Sequence, residues 1–280
     1  MIVYLTRRAS FSAAHCYWLP VVSAEENRSR FGIWSGKEPH GHNYQVSVTV
    51  AGEVDSRTGM VVNITDINVA MKRHVTDILD NKFLNREVEY FQTAPTTTEN
   101  ITRFVWESLE PRLPPAVVLM RVELKEMDTL WSTRERAEAG AIVTSLTRVY
   151  DFSASHRLHS KHLSDEQNRE LFGKCDNPNG HGHNYGVEVT VIGNPDERTG
   201  MIFSVDEMDR IVEEQIIRPF DHKHLNLDTT EFADVNPTSE MLSVVIWQKL
   251  AEKLPTSGLP RLFSVVVNET ARNSFEFRGY

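Results

Sequence analysis

Cysteine is scarce: the 280 residues hold two, Cys16 and Cys175, far apart in the chain. A disulfide framework needs more, so stability must come from an apolar core, and a reducing compartment is expected. Long apolar runs are missing as well. None approaches the roughly 18 residues that span a bilayer. Met1 to Leu19 is broken by Arg7, Arg8 and His15 and lacks the charged-then-apolar order of a signal peptide. The expectation is a cytoplasmic protein with no membrane partner. Positive charge is the third shortage, with 30 Lys and Arg against 39 Asp and Glu and a net charge of −9. Nucleic acid is therefore not expected as a partner, because phosphate backbones are held by clustered basic side chains. A small phosphorylated substrate needs only a few such groups and stays allowed.

What is present is a repeat. Phe11-Ser12-Ala13-Ala14-His15 returns as Phe152-Ser153-Ala154-Ser155-His156, and His40-Gly41-His42-Asn43-Tyr44 as His181-Gly182-His183-Asn184-Tyr185. Gly59 and Gly200, Asp80 and Asp221, Glu99 and Glu240 stand the same 141 positions apart. One register kept over five landmarks means a duplication, and a unit of this length is an ordinary domain. The expected domains are 1–142 and 143–280, joined through Ala139-Gly140-Ala141 with no Pro- or Gly-rich linker.

Periodicity orders the elements within each copy. Val3 to Ala13 and Tyr44 to Gly52 read as strands, Ile67 to Leu79 and Asn100 to Leu109 as amphipathic helices, and Val117 to Leu124 as a strand before a shorter one. Thr97, Thr98 and Glu99 form a helix-start signal. The second copy repeats this with Val187 to Ile192, Met208 to Ile217, Glu240 to Leu250 and Phe263 to Asn268. The order ββααββ predicts an α+β fold: in each domain an antiparallel sheet with helices on one face. Sheet edges left unpaired predict a homo-oligomer.

His40 and His42, like His181 and His183, are two positions apart, so on a strand both rings face one way. His15 and His156 end the neighbouring strands and supply a third imidazole to each pair. Three histidines with a fourth position open form the donor set of a catalytic zinc site, although other first-row metals share a taste for imidazole. Cys175 precedes His181 in a turn-forming Asn-Pro-Asn-Gly context. A thiol beside a metal and a histidine is suited to proton abstraction. Asp221-His222 is its natural partner, the carboxylate orienting the ring.

Taken together, Phe152–Leu158, Cys175–Tyr185, Gly200-Met201, Asp221–Asn226, Pro237–Glu240 and Val267–Thr270 resemble the 6-pyruvoyltetrahydropterin synthase family over most of the second copy. The resemblance implies a tunnelling fold, whose ββααββ units join their sheets between subunits. It implies a lyase that converts the pterin 7,8-dihydroneopterin triphosphate to 6-pyruvoyltetrahydropterin, eliminating triphosphate. It also implies Zn2+ on His156, His181 and His183, with Cys175 as base and Asp221 and His222 handling a companion proton. Glu269 would anchor the pterin, and Thr238 and Ser239 would line the pocket. Arg157 and Lys161 are candidates for meeting the triphosphate. A related branch forms 6-carboxytetrahydropterin from the same substrate, usually with a shorter gap between the Cys and the His-Gly-His. A non-catalytic metal- and pterin-binding protein and a pterin side-chain aldolase are the other readings.

The first copy departs from this pattern. It keeps His15, His40 and His42 for a metal and Glu126 as counterpart of Glu269. Trp34 stands in the register of Cys175, and Asn81 in that of His222. Neither can move a proton. Cys16 should point to the opposite face from His15, and Glu38 lies too near His40 to reach easily. The first copy is expected to bind metal without turnover.

Overall fold

The computed structural model describes residues 1–138 and 140–280; Ala139, in the expected join, lies outside the described residues. Contacts sort the chain into two units, Met1–Thr147 with Ile192–Asp206, and Arg148–Val191 with Glu207–Tyr280. A stretch of second-copy sequence thus packs as part of the first unit.

In the first unit, β1 (Ile2–His15) and β2 (His40–Glu53) pair antiparallel along their full length, with His15 opposite His40 and Ala13 opposite His42. The two-residue β3 (Lys82–Phe83) lies parallel to β1, while β4 (Val117–Met127) and β5 (Leu130–Arg136) extend the other side. Alternation puts Phe11, Ala13, Tyr44, Val46, Val48 and Val50 on one buried face. They pack on Ile67, Met71, Val75 and Leu79 and on Ile101, Val105, Trp106 and Leu109 from the helices. Each large side chain so buried contributes about 1.5–3 kcal/mol. The histidines of β1 and β2 end this same face, so core packing aims them.

The Thr98–Leu109 helix begins where Thr97 accepts the Asn100 N–H, as the helix-start signal implied. The expected Ile67–Leu79 helix is not one regular helix. It runs α-helical over Ile64–Met71, widens into a π-helical turn at Lys72–Thr76 and closes over Asp77–Leu79. A π turn shifts the helical period locally, which a 3.6-residue pattern does not register. The second copy does the same at Glu213–Ile217. Short helices at Ala24–Phe31 and Asp165–Phe172, capped by Ser23 and Ser164, were not anticipated.

The second unit takes most of its sheet from β6 (Ile142–His156), β7 (His181–Gly193), β9 (Arg261–Thr270) and β10 (Asn273–Phe277), in the order β10-β9-β7-β6. The short β8 (Lys223–His224) lies parallel to β6. Phe152, Tyr185, Val187 and Val189 are buried, as are Leu242, Ile246 and Leu250 of the Ser239–Ala251 helix. Among the described residues no helix is long and apolar enough to cross a membrane.

Candidate metal centres and cavities

Both triads assemble as the spacing implied. His15, His40 and His42, and likewise His156, His181 and His183, bring one ring nitrogen each to within 4.8 Å of one another. Ring centroids are 4.5, 5.2 and 5.0 Å apart in the first set and 4.6, 5.2 and 5.0 Å in the second. His15 Nδ1 lies 2.8 Å from the Thr96 carbonyl and His156 Nδ1 2.7 Å from that of Pro237. Such a bond fixes the ring and leaves Nε2 for a ligand. The Nε2 atoms of His15, His42 and His183 are buried without a hydrogen bond. His156 and His181 Nε2 stand 3.2 Å apart, close to the ~3.4 Å between nitrogens sharing one tetrahedral ion at about 2.1 Å. Burial, opposed by the backbone carbonyl, lowers His15 and His156 to about 4. Both rings are therefore neutral at pH 7, the form that binds metal. The residues fit a metal ion at both sites.

In the second unit the triad opens on a cavity of about 730 Å³ that is also lined by Cys175, Thr238, Ser239, Glu240 and Glu269. Cys175 sits in a short 3₁₀ turn, Gly173–Asp176, half-buried rather than in an open loop. Thr238 caps the Ser239–Ala251 helix by accepting the Met241 N–H. Ser239 Oγ donates to Glu269 Oε1 at 2.6 Å. Burial pushes the Glu269 carboxyl up, but Ser239, Asn273 and His183 outweigh it and hold the pKa below the ordinary value. The result is an ionised acceptor on the cavity wall.

Asp221 and His222 do not join this cavity. They form a pair of their own, His222 Nδ1 to Asp221 Oδ2 at 2.8 Å, with the imidazole 82 % exposed. His222 lines a separate recess with Ser153, Ser155, Gly182, Asn184 and His224; His183 alone borders both. Asp221 also accepts the Ser153 N–H at 2.9 Å, which with His222 holds its pKa low. Arg157 and Lys161 are tied to Asp176 and Asp234, whereas Lys174 and Arg272 line the large cavity. Sequence reasoning passed over the latter two, because nothing local distinguishes a basic residue at a cavity rim. His224 was missed too; its closeness to Gly180, where a Cβ would lie 2.8 Å from His224 Nε2, appears only in three dimensions.

The first unit repeats the frame with different groups. Thr98 Oγ1 donates to Glu126 Oε2 at 2.6 Å, as Ser239 does to Glu269, and Glu126 Oε1 lies 3.4 Å from His42 Nε2. Trp34 ends the short 3₁₀ turn Gly32–Trp34, in the place of the Cys175 turn. Asn81 and His222 share a left-handed backbone, φ 55° and 56°, and each donates its N–H to the opposing Ser carbonyl at 2.6 Å. Cys16 is buried, its pKa raised by that burial, and Glu38 is exposed. Glu99 is 2 % exposed because Ile202 N–H donates to its Oε1 at 3.0 Å and Gly200 covers Thr97. Burial, with the Glu126 charge adding to it, raises Glu99 to about 7 against the opposing bonds from Ile202 and Thr97.

A family model described as 6-pyruvoyl tetrahydropterin synthase matches residues 4–137 and again 145–280. A 6-pyruvoyl tetrahydrobiopterin synthase of Poecilia reticulata is 51 % identical over 134 residues, 48 % of this chain and 89 % of that protein. Its Homo sapiens namesake is 49 % identical over 134 residues, 48 % of this chain and 90 % of its own. A solved structure of the Caenorhabditis elegans 6-pyruvoyl tetrahydropterin synthase is 36 % identical and superposes with a TM-score of 0.47 over 49 % of this chain and 96 % of that one.

Proposed function

Matched twice along its length, the chain belongs to the 6-pyruvoyl tetrahydropterin synthase family, and from that premise we propose that it is a metal-dependent lyase converting 7,8-dihydroneopterin triphosphate to 6-pyruvoyltetrahydropterin with loss of triphosphate. The repeat units are 1–142 and 143–280, and the protein works as a cytoplasmic homo-oligomer. The observation that carries the reading is the shared cavity of the second unit, where the His156, His181 and His183 triad, Cys175 and Glu269 meet. The metal is Zn2+, which when bound supplies Lewis acidity toward substrate oxygens.

The chain's own groups do the rest. Glu269, held ionised by Ser239, accepts hydrogen bonds from the pterin ring N–H and amino group, a planar pairing that a carboxylate matches. Thr238 and Ser239 shape the wall beside it. Cys175 takes a proton from the substrate side chain as general base. Lys174 and Arg272 offer the positive charge that a triphosphate needs. Asp221 orients His222 for the companion proton. That pair faces away from its own cavity, so it serves a site completed in the oligomer. The first unit, with Trp34 and Asn81, binds metal and holds Glu126 ready for a pterin, but has no base.

Zinc-loaded protein incubated with 7,8-dihydroneopterin triphosphate, with Cys175→Ala alongside, tests this by mass spectrometry of the products. Triphosphate and a pyruvoyl pterin, lost in the variant, are expected; a carboxy pterin would move the chain to the sister branch. The separation of Cys175 from His222 favours a second reading, a pterin-binding protein without turnover. Binding with no product in any oligomeric form would establish that reading and remove the first.

A further inference from the structure

The short turn that carries Cys175 is tied to the end of β6 by side chains without a counterpart in the first unit. Asp176, the next residue, is 6 % exposed. Its Oδ1 accepts Arg157 Nε at 2.8 Å and His159 Nδ1 at 2.8 Å. Arg157 Nη2 reaches the same oxygen at 2.7 Å, and its Nε lies 3.2 Å from the Asp176 carbonyl. Burial pushes the Asp176 carboxyl up, yet His159 and Arg157 outweigh it and hold its pKa below the ordinary value. Leu158 N–H donates to the Cys175 carbonyl at 3.0 Å. The thiol's turn is thus held by the three residues that follow the triad's His156. That strip is itself fixed. Asn226 accepts the Arg157 N–H at 2.8 Å and donates to the Arg157 carbonyl at 3.0 Å, and Asn236 accepts the His159 N–H at 3.1 Å.

The first unit keeps the scaffold and omits the clamp. Asn85 brackets Cys16 as Asn226 brackets Arg157, at 2.9 and 3.0 Å. But Cys16, Trp18 and Ser35 stand in the registers of Arg157, His159 and Asp176. None of the three brings a charge, and Ser35 Oγ is buried with no hydrogen bond. The 3₁₀ turn nevertheless forms there, over Gly32–Trp34, as it does over Gly173–Asp176. Folding of the turn therefore does not need the clamp. Where the turn carries a thiol it is locked, and where it carries an indole it is not.

We propose that Asp176 is a positioning residue for Cys175: with Arg157 and His159 it fixes the thiol in one place relative to the His156 triad. Asp176, Arg157 and His159 do not line the cavity, so they act through the turn and not on the substrate. A single 3₁₀ turn has poor hydrogen-bond geometry and holds a side chain loosely when left to itself. A general base must stand within hydrogen-bond reach of the proton it takes. Charge-assisted bonds to a buried carboxylate supply the missing stiffness. Removing the carboxylate leaves Arg157 without its partner and frees the turn. This role presumes Cys175 as the general base proposed above. A Cys175→Ala chain that still turned over would remove that premise, whereas thiol alkylation judges the clamp without it.

The test sets the rate of Cys175 alkylation by iodoacetamide, read by peptide mass spectrometry, beside kcat and KM for 7,8-dihydroneopterin triphosphate. Zinc-loaded wild type, Asp176→Ala and Arg157→Lys are compared, with metal content measured in each. Cys16, the other cysteine, is 5 % exposed and reports loss of the fold if it reacts. In Asp176→Ala, with Cys16 closed, alkylation should speed up several-fold as the half-buried thiol gains access. Over the same change kcat should fall by about 10²-fold with KM unchanged, the cost of a misplaced catalytic group. Opposite signs mark positioning, since a thiol made less reactive would lower both rates. Arg157→Lys keeps the charge without the fork and should move both rates the same way by less. It decides on the same criteria if Asp176→Ala opens Cys16. Unchanged alkylation, an undiminished kcat, a loss confined to KM, or loss of metal in place of these changes would overturn the proposal.

Discussion

The two copies share a frame and differ in what fills it. Both hold three histidines at one spacing, orient the first through a backbone carbonyl, and set a hydroxyl on a carboxylate behind the triad. In the first, Glu99 is sealed by Gly200 and Ile202, and an indole occupies the place of the thiol. In the second, Glu240 is exposed and Cys175 faces the cavity. The frame fits a metal ion in both copies, and a few substitutions on it separate a site that has a thiol from one that does not.

The largest expected difference is in turnover. Cys175→Ala should lower kcat by about 10²–10⁴, the usual worth of a positioned general base, with pterin binding kept. Trp34→Ala should leave the rate within a factor of two of wild type. A steady-state assay of both checks this, and a large loss from Trp34→Ala would erase the assigned asymmetry.

The next concerns pH. Glu99 is raised from 4.5 to about 7 in the folded chain, so the fold binds the extra proton and loses stability as pH rises from about 4.5 through 7. At 1.36 kcal/mol per pH unit the loss approaches about 3 kcal/mol as an upper bound. Denaturant melts from pH 5 to 8 should show this slope in wild type and a flatter one in Glu99→Gln.

The smallest contrast lies in the caps. Thr238→Ala should cost about 1 kcal/mol, the worth of a helix N-cap. Thr97→Ala should cost about 1 kcal/mol more, because its Oγ1 also donates to the buried Gly200 carbonyl. Equal losses in urea titration would mean that docking of the 196–202 turn adds nothing to stability.

Much of this was legible in the residues. A constant register exposed the duplication, strand alternation placed His40 with His42, and the Thr97, Thr98 and Glu99 signal marked a helix start. What escaped shares one physical reason. Periodicity says which face a side chain takes, not which of two homologous surfaces a segment will choose. Residues 192–206 read as second-copy sequence yet pack in the first unit. Cys175 and His222 read as one constellation, but β6 and β7 put them on different recesses. Arg157 stood out beside His156, yet Asp176, distant in sequence, claims its guanidinium.

The central claim, two metal sites of which only the second turns over pterin, is tested most directly by pairing His15→Ala with His156→Ala. Metal content and turnover of 7,8-dihydroneopterin triphosphate would be measured on the same samples. The account predicts a fall from two metal ions per chain to one in both variants, with turnover kept in His15→Ala and abolished in His156→Ala. Turnover lost with His15→Ala and kept with His156→Ala would contradict it.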